Sequence, residues 1–388
     1  MTSPTLERTV VSDDMLKTFH ERAPGYDKNN SFFTEDFEDL RSAGYLKYCI
    51  PTEFGGSGAS LVDYTALIRK LAYHAPATAL ATNMHQYWTG VATDMRRMGD
   101  SSLEWVLREA AAGEVFAAGH GEAGAELPLF LSTTRAERVD GGYRFFGHKI
   151  FGSLSPVWTR LGLHGMTADG QIVHGFMPRD TPGYSIKETW DTLGMRATRS
   201  DDTILDGAFI PDKYIARTLP AGGADLFVLS VFAWAEPTFA SVYIAIAERA
   251  RDLAVAGAKK RTSLALTRSM AYHPEVQHRA AEMQLILEAI GPQVDRVASD
   301  WANGVDHGAE WPMKLVAAKY NAVEGAKRVV DIAMDMSGGV GMFKSNELER
   351  LYRDVRCGGF HPANSGLVHE IVGKTLFGID LGEQPRWG

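Results

Sequence analysis

The spacing of apolar residues changes character twice along the chain, and this restricts the fold more than any single motif. Up to about Glu114 the spacing is helical. Leu61, Tyr64, Leu67, Ile68 and Leu71 share one predicted helix face, and residues 36–43 form another helix closed by Gly44. From Val115 to about Ile215 the pattern is that of strands. Residues 135–139 and 143–147 flank Asp140-Gly-Gly, and residues 161–166 and 171–177 flank Asp169-Gly170, which are two hairpin signals. Residues 203–210 read as the last strand, stopped by Pro211. From about Ala224 the spacing is helical again, with Pro274 opening one long helix and Gly338-Gly339 closing another that spans residues 314–336. The order α, β, α predicts an α+β chain of segregated layers. Its parts are an N-terminal helical domain (1–114), a middle β-barrel or sandwich (115–217) and a C-terminal four-helix bundle (218–388).

The run from Leu226 to Ala247 is apolar for long enough to cross a bilayer, but Glu236-Pro237 stands in its middle. Charge is costly there and proline interrupts the helix, so the run is expected to start a buried core helix, with no membrane contact. A glutamate buried in such a helix needs a reason. The formal charge of −8 offers no basic stripe for a phosphate backbone, which excludes nucleic acid as a partner. Cys49 and Cys357, far apart, make neither a disulfide framework nor a zinc pattern, so two reduced thiols and no metal are expected. The N-terminus lacks a basic start followed by an apolar run, so the expectation is a cytoplasmic protein without a signal peptide. No strand-turn-helix carries Gly-x-Gly-x-x-Gly and no Walker loop is present, so a nucleotide cofactor would be held some other way.

Five strings, in order, carry a resemblance. They are Pro51-Thr-Glu-Phe-Gly-Gly-Ser-Gly58, the loop from Phe116 to Glu126, Gly147-His-Lys-Ile-Phe-Gly-Ser153, Thr192-Leu-Gly-Met-Arg-Ala-Thr198 followed by Phe209-Ile-Pro211, and Ser337-Gly-Gly-Val-Gly-Met followed by Leu348-Glu-Arg-Leu-Tyr-Arg-Asp354. Together they resemble the acyl-CoA dehydrogenase superfamily over nearly the whole chain. The resemblance implies FAD between the middle and C-terminal domains, completed by a second subunit of a homodimer or homotetramer. It puts Phe151 and Ser153 against the flavin ring, Gly338 and Gly339 near the pyrophosphate of a neighbouring subunit, and Asn364 near the diphosphate. Arg261 falls in the family's FAD-gripping Arg-x-x-Phe-Gly segment, although the Phe-Gly is missing here, and Ser337 replaces a histidine.

The catalytic glutamate usual in the family falls, by ungapped counting, on Pro362, which cannot act as a base; His361 is adjacent and Glu370 lies too far along. Some members carry the base on the first helix of the C-terminal domain, within about a residue of Glu236. Desolvation in that apolar run would raise its pKa and suit it to proton abstraction; a helix-start glutamate before Pro237 is the structural alternative. The leading expectation is therefore α,β-dehydrogenation of an acyl thioester carried on CoA or a carrier protein, with Glu236 as base and a flavoprotein as electron acceptor. The alternative is a monooxygenase on the same fold, fed reduced flavin by a separate reductase and hydroxylating an aromatic or amine substrate, with His85 and His361 as candidate polar groups. A third reading is a relative that has lost catalysis.

Overall fold

In the computed structural model, which describes residues 10–124 and 129–383, five helices precede the strands. They are α1 (Asp13–Asn29), α2 (Thr34–Ser42), α3 (Leu61–His74), α4 (Pro76–Arg97) and α5 (Glu104–Ala112). Their starts follow local chemistry: Ser12 caps α1, Ser60 and Asp63 form a reciprocal capping box on α3, and Pro76 opens α4, where its missing N–H costs nothing. Residues 125–128 lie outside the described residues, and with them the last two positions of the Phe116–Glu126 string singled out above.

The middle domain is one sheet of β1 (Phe116–Gly119), β2 (Arg135–Val139), β3 (Gly142–Lys149), β4 (Arg160–Met166), β5 (Gln171–Pro178), β6 (Tyr184–Lys187), β7 (Asp202–Pro211) and β8 (Ile215–Pro220). Both expected hairpins form, β2–β3 and β4–β5. The order is β6-β7-β3-β2-β4-β5-β8, and β1 pairs in parallel with β4. The β2–β4 connection rests on the single register pair Arg135↔Met166 among the described residues. One expectation is corrected: Pro211 does not end the strands. A single turn at residues 212–214 leads into β8, which pairs with β5.

The C-terminal domain packs α6 (Leu226–Lys260), α7 (Pro274–Ala302) and α8 (Trp311–Ser337) with the shorter α9 (Glu347–Arg356) and α10 (Ser365–Phe377). Here too the sequence reading needs correcting. Asp225 caps α6, so Glu236 and Pro237 lie inside a continuous helix and not at its start. Thr238 Oγ1 donates to Trp234 O at 2.7 Å and Ser241 Oγ to Pro237 O at 2.9 Å, so side-chain hydroxyls supplement the backbone ladder around the proline. Long and apolar as it is, α6 is enclosed by the rest of the fold. Its contact with α4 is close: a Cβ added at Gly90 would run into the Trp234 ring. Gly90→Ala is therefore expected to lower unfolding stability by about 1–3 kcal/mol, read from urea denaturation.

Candidate active site

A cavity of about 500 Å³ opens where α4, the ends of β1 and β3, α6 and the segment between α9 and α10 meet. That volume suits a small organic ligand or cofactor. Four of the seven site residues picked from the sequence line it: Phe151, Ser153, Glu236 and Asn364.

Phe151 and Ser153 follow β3 directly. Phe151 sits in the left-handed region at φ 61° with 54% of its surface exposed, and its ring meets Trp190 edge-on at 6.0 Å. A bulky residue at positive φ is strained, and such strain is retained where a side chain must be aimed. Ser153 Oγ lies 2.7 Å from Ser200 Oγ, which lies 2.7 Å from Thr198 Oγ1; all three hydroxyls line the cavity. An aromatic face next to a row of hydroxyls is a donor set that fits a flat heterocycle with ring nitrogens and carbonyls, which is what a flavin presents.

A buried ion pair that sequence reading missed adjoins this wall, and its Glu122 also lines the cavity. Lys149, the last residue of β3 and 1% exposed, donates to Glu122 Oε1 at 2.5 Å and to His164 O at 2.6 Å. Glu122 also accepts from Ser132 Oγ, Thr133 N, Thr134 N and Thr134 Oγ1. Burial opposes its ionisation, but Lys149 and these donors win and hold the carboxyl below the usual range. Burial lowers the Lys149 ammonium to about 8, still above neutrality, so the pair is charged at pH 7.

Glu236 is 1% exposed. Its Oε1 accepts from Ala363 N at 3.1 Å, while Oε2 has no hydrogen-bond partner among the described residues. Burial pushes its pKa up to about 8, against the opposing charge of Lys319 and the Ala363 N–H. Lys319 in turn anchors the neighbouring turn, donating to His361 O at 3.0 Å and Ala363 O at 2.9 Å. The helix-start alternative fails on position, and what remains is a nearly neutral carboxyl with one free oxygen at the cavity.

The other candidates divide. His361 lines the cavity, stacked on Phe239 at 4.7 Å with Nε2 2.6 Å from Tyr243 Oη; burial lowers its pKa to about 3, so it is neutral. His85 does not reach the cavity. Its Nδ1 accepts from Phe116 N and its Nε2 faces Leu46 O, so both nitrogens clamp the N-terminal helices to β1. Asn364 is the N-cap of α10, its Oδ1 accepting from Leu367 N at 3.0 Å. Glu370 pairs with Lys374 on α10 at 3.0 Å and is not among the cavity residues. Arg261, Gly338 and Gly339 lie away from the cavity. Gly338 caps α8 at φ 68°, and the Arg261 guanidinium donates to Met336 O at 2.8 Å and Ser337 O at 2.5 Å.

Residues 8–102 match the family of acyl-CoA dehydrogenase N-terminal domains and residues 223–371 that of acyl-CoA dehydrogenase C-terminal domains, together more than half of the chain. The chain belongs to the acyl-CoA dehydrogenase superfamily. Among acyl-CoA dehydrogenase-like relatives, a putative acyl-CoA dehydrogenase, YdbM, of Bacillus subtilis is 28% identical over 92% of this chain and 93% of its own. An L-evernosamine nitrososynthase of a Micromonospora species is 27% identical over 96% and 91%. The solved structure of KijD3 with FMN and a dTDP-linked amino sugar superposes with a TM-score of 0.86 at 24% identity, covering 100% of this chain and 96% of that one. The superfamily's fold, with its helical, sheet and helical domains, is thus present, and its members of this kind are flavin-dependent enzymes.

Proposed function

We propose that this superfamily member is a reduced-flavin-dependent monooxygenase acting on a small, largely apolar substrate that carries a basic or polar group. The observation that carries the reading lies beside Glu236. Dehydrogenating a thioester requires hydrogen-bond donors on its carbonyl as well as a base, because the enolate must be stabilised as it forms. In the adjoining segment Pro362 has no N–H, and the Ala363 N–H is already taken by Glu236 Oε1. Oxygen transfer does not need a donor there. The nitrososynthase relative, whose name implies oxidation at nitrogen, supports the same direction.

Phe151 and the Ser153–Ser200–Thr198 hydroxyls would hold the flavin ring, FAD being the form that the sequence resemblance implies. Arg261, Gly338 and Gly339 would meet the diphosphate of a second copy's flavin in a homodimer or homotetramer. When bound and reduced, a flavin supplies the two electrons with which dioxygen is split between product and water. In its ionised form, which a pKa near 8 makes accessible around neutral pH, Glu236 would take a proton from the substrate's basic group on Oε2, its unpartnered oxygen, and the apolar walls from α4 and α6 would exclude water from it.

Dehydrogenation of an acyl thioester on CoA or a carrier protein is the second reading, favoured by the same carboxyl acting as the base. One experiment separates the two. With flavin reductase, NADH and oxygen, a panel of small amines and aromatics is expected to yield an oxygenated product by mass spectrometry, and only when reductase and oxygen are both present. An acyl-CoA that bleaches the oxidised flavin band anaerobically would instead make the chain a dehydrogenase that passes electrons to a flavoprotein acceptor.

A further inference from the structure

Three histidines are used by nothing described so far. His164 on β4 and His174 on β5 are register partners, so their side chains share one face of the sheet, and His174 is in turn the partner of Arg217 on β8. On the other side β1 runs parallel to β4 with Gly119 opposite Leu163, which places His120 one step on, beside His164. The row His120–His164–His174–Arg217 therefore crosses four strands. The ring centroids are 5.4 Å apart for His120 and His164 and 5.7 Å for His164 and His174, about one strand spacing each. His120 lines the cavity at one end. At the other end Arg217, about one-fifth exposed, pairs with Asp100 and Asp225 near the surface.

The nitrogens in this row are unusually placed. His164 and His174 are 0% and 2% exposed. His164 Nε2 lies 3.0 Å from Leu131 O, which can only accept, so the proton is on Nε2 and Nδ1 presents a lone pair. That Nδ1, and both nitrogens of His174, have no protein partner among the described residues. Trp88 stands edge-on to His120 and Phe227 edge-on to His174, and Lys149, held by Glu122, supplies the nearby positive charge. Burial first, and that positive charge after it, hold all three rings neutral. Because the rings follow one another and do not converge on a point, they do not form a cation site. Buried polar atoms without protein partners are generally satisfied by internal water.

We infer that the row His120–His164–His174 holds internal water and forms a proton path between the cavity and the Arg217–Asp100–Asp225 cluster. A neutral imidazole with both nitrogens free, as in His174, accepts on one and donates from the other, which a relay through water requires. His164, its Nε2–H held by Leu131 O, orients the relaying water as an acceptor through Nδ1. The inference rests on the flavin reading but not on the choice between monooxygenase and dehydrogenase. Either reaction must exchange protons with solvent through a cavity whose walls are mostly apolar. The simplest proton-consuming step is reoxidation without substrate, in which one anionic reduced flavin, one dioxygen and one proton give oxidised flavin and hydrogen peroxide.

The test compares the full-length native protein with His174→Phe, which keeps the ring and removes both nitrogens, and His174→Gln, which keeps a donor and an acceptor. High-resolution diffraction of the native protein is expected to place ordered water on His164 Nδ1 and His174, and to find it lost in His174→Phe. Peroxide release after photoreduction and mixing with oxygen is expected to slow about ten-fold or more in His174→Phe, with a larger solvent isotope effect, and to be largely restored in His174→Gln. A dry cluster, or equal rates and isotope effects for all three proteins from pH 6 to 9, would overturn the path. Failure of the flavin reading would appear separately, as no binding of added FAD or FMN in either the oxidised or the reduced form, and the diffraction result would still decide the question of water.

Discussion

Lys149→Met is expected to lower unfolding stability by about 3–5 kcal/mol, because it leaves Glu122 as a buried charge without a counter-ion. The native pair is fully enclosed, so solvent cannot take over the role of the lost ammonium. The four remaining donors to Glu122 come from residues 132–134, and they offset only part of the lost counter-charge. The double variant Lys149→Met/Glu122→Gln should recover much of the loss, since it removes the uncompensated charge. Urea unfolding of both variants at pH 7 checks this. A single variant within 1 kcal/mol of native would show that the pair contributes little. The damage should also reach the cavity, because Lys149 ends β3 two residues before Phe151 and, through Glu122, ties the strand end to residues 132–134. Weaker flavin binding by Lys149→Met, at temperatures where it is still folded, is the functional side of the same prediction.

Such a pair shows what a sequence conceals. Asp140-Gly-Gly and Asp169-Gly170 identify their hairpins because turn chemistry is local. Pro211 also looks local, yet the strand after it exists because β5 offers an unpaired edge, a fact of tertiary structure. Pro237 misleads in the same way. Proline is a good first-turn residue, but α6 passes through it because the helix is buried on nearly every side and its packing outweighs one missing hydrogen bond. At the site, Glu236 was legible because a carboxylate in an apolar run is out of place in any environment. Phe151 and Ser153 were legible only through the motif that contains them. The Lys149–Glu122 pair, Lys319 beneath the 361–363 turn and the histidine row were not, because each depends on which strands and loops become neighbours. His85 illustrates the converse: a histidine in a helix looked available for chemistry until the fold gave both of its nitrogens backbone partners.

Glu236→Gln is expected to abolish most turnover while making the protein more stable near neutral pH. For activity, a glutamine keeps the shape and the bond from Ala363 N but cannot take a proton at the free oxygen, a loss of about 10²–10⁴-fold in kcat. For stability the sign follows from linkage. The folded-state pKa, near 8, lies above the ordinary value of 4.5, so folding favours the protonated carboxyl. Below the ordinary value both states are protonated and nothing is lost. As pH rises towards the folded value, the unfolded chain ionises while the folded one resists, and native stability falls relative to the glutamine variant. Above the folded value the difference levels off. Lys319 does not reverse this sign, because glutamine mimics the protonated carboxyl that Lys319 already faces at neutral pH, and its ammonium keeps the carbonyls of His361 and Ala363. Thermal melts of the two proteins should therefore nearly coincide at pH 4.5 and separate by up to a few kcal/mol by pH 8. Melts that stay parallel across this range would mean that Glu236 is ionised throughout and held by a partner, and the role proposed for its free oxygen would fall with that result. Full turnover by the variant, with normal flavin binding, would remove Glu236 from the chemistry under either functional reading.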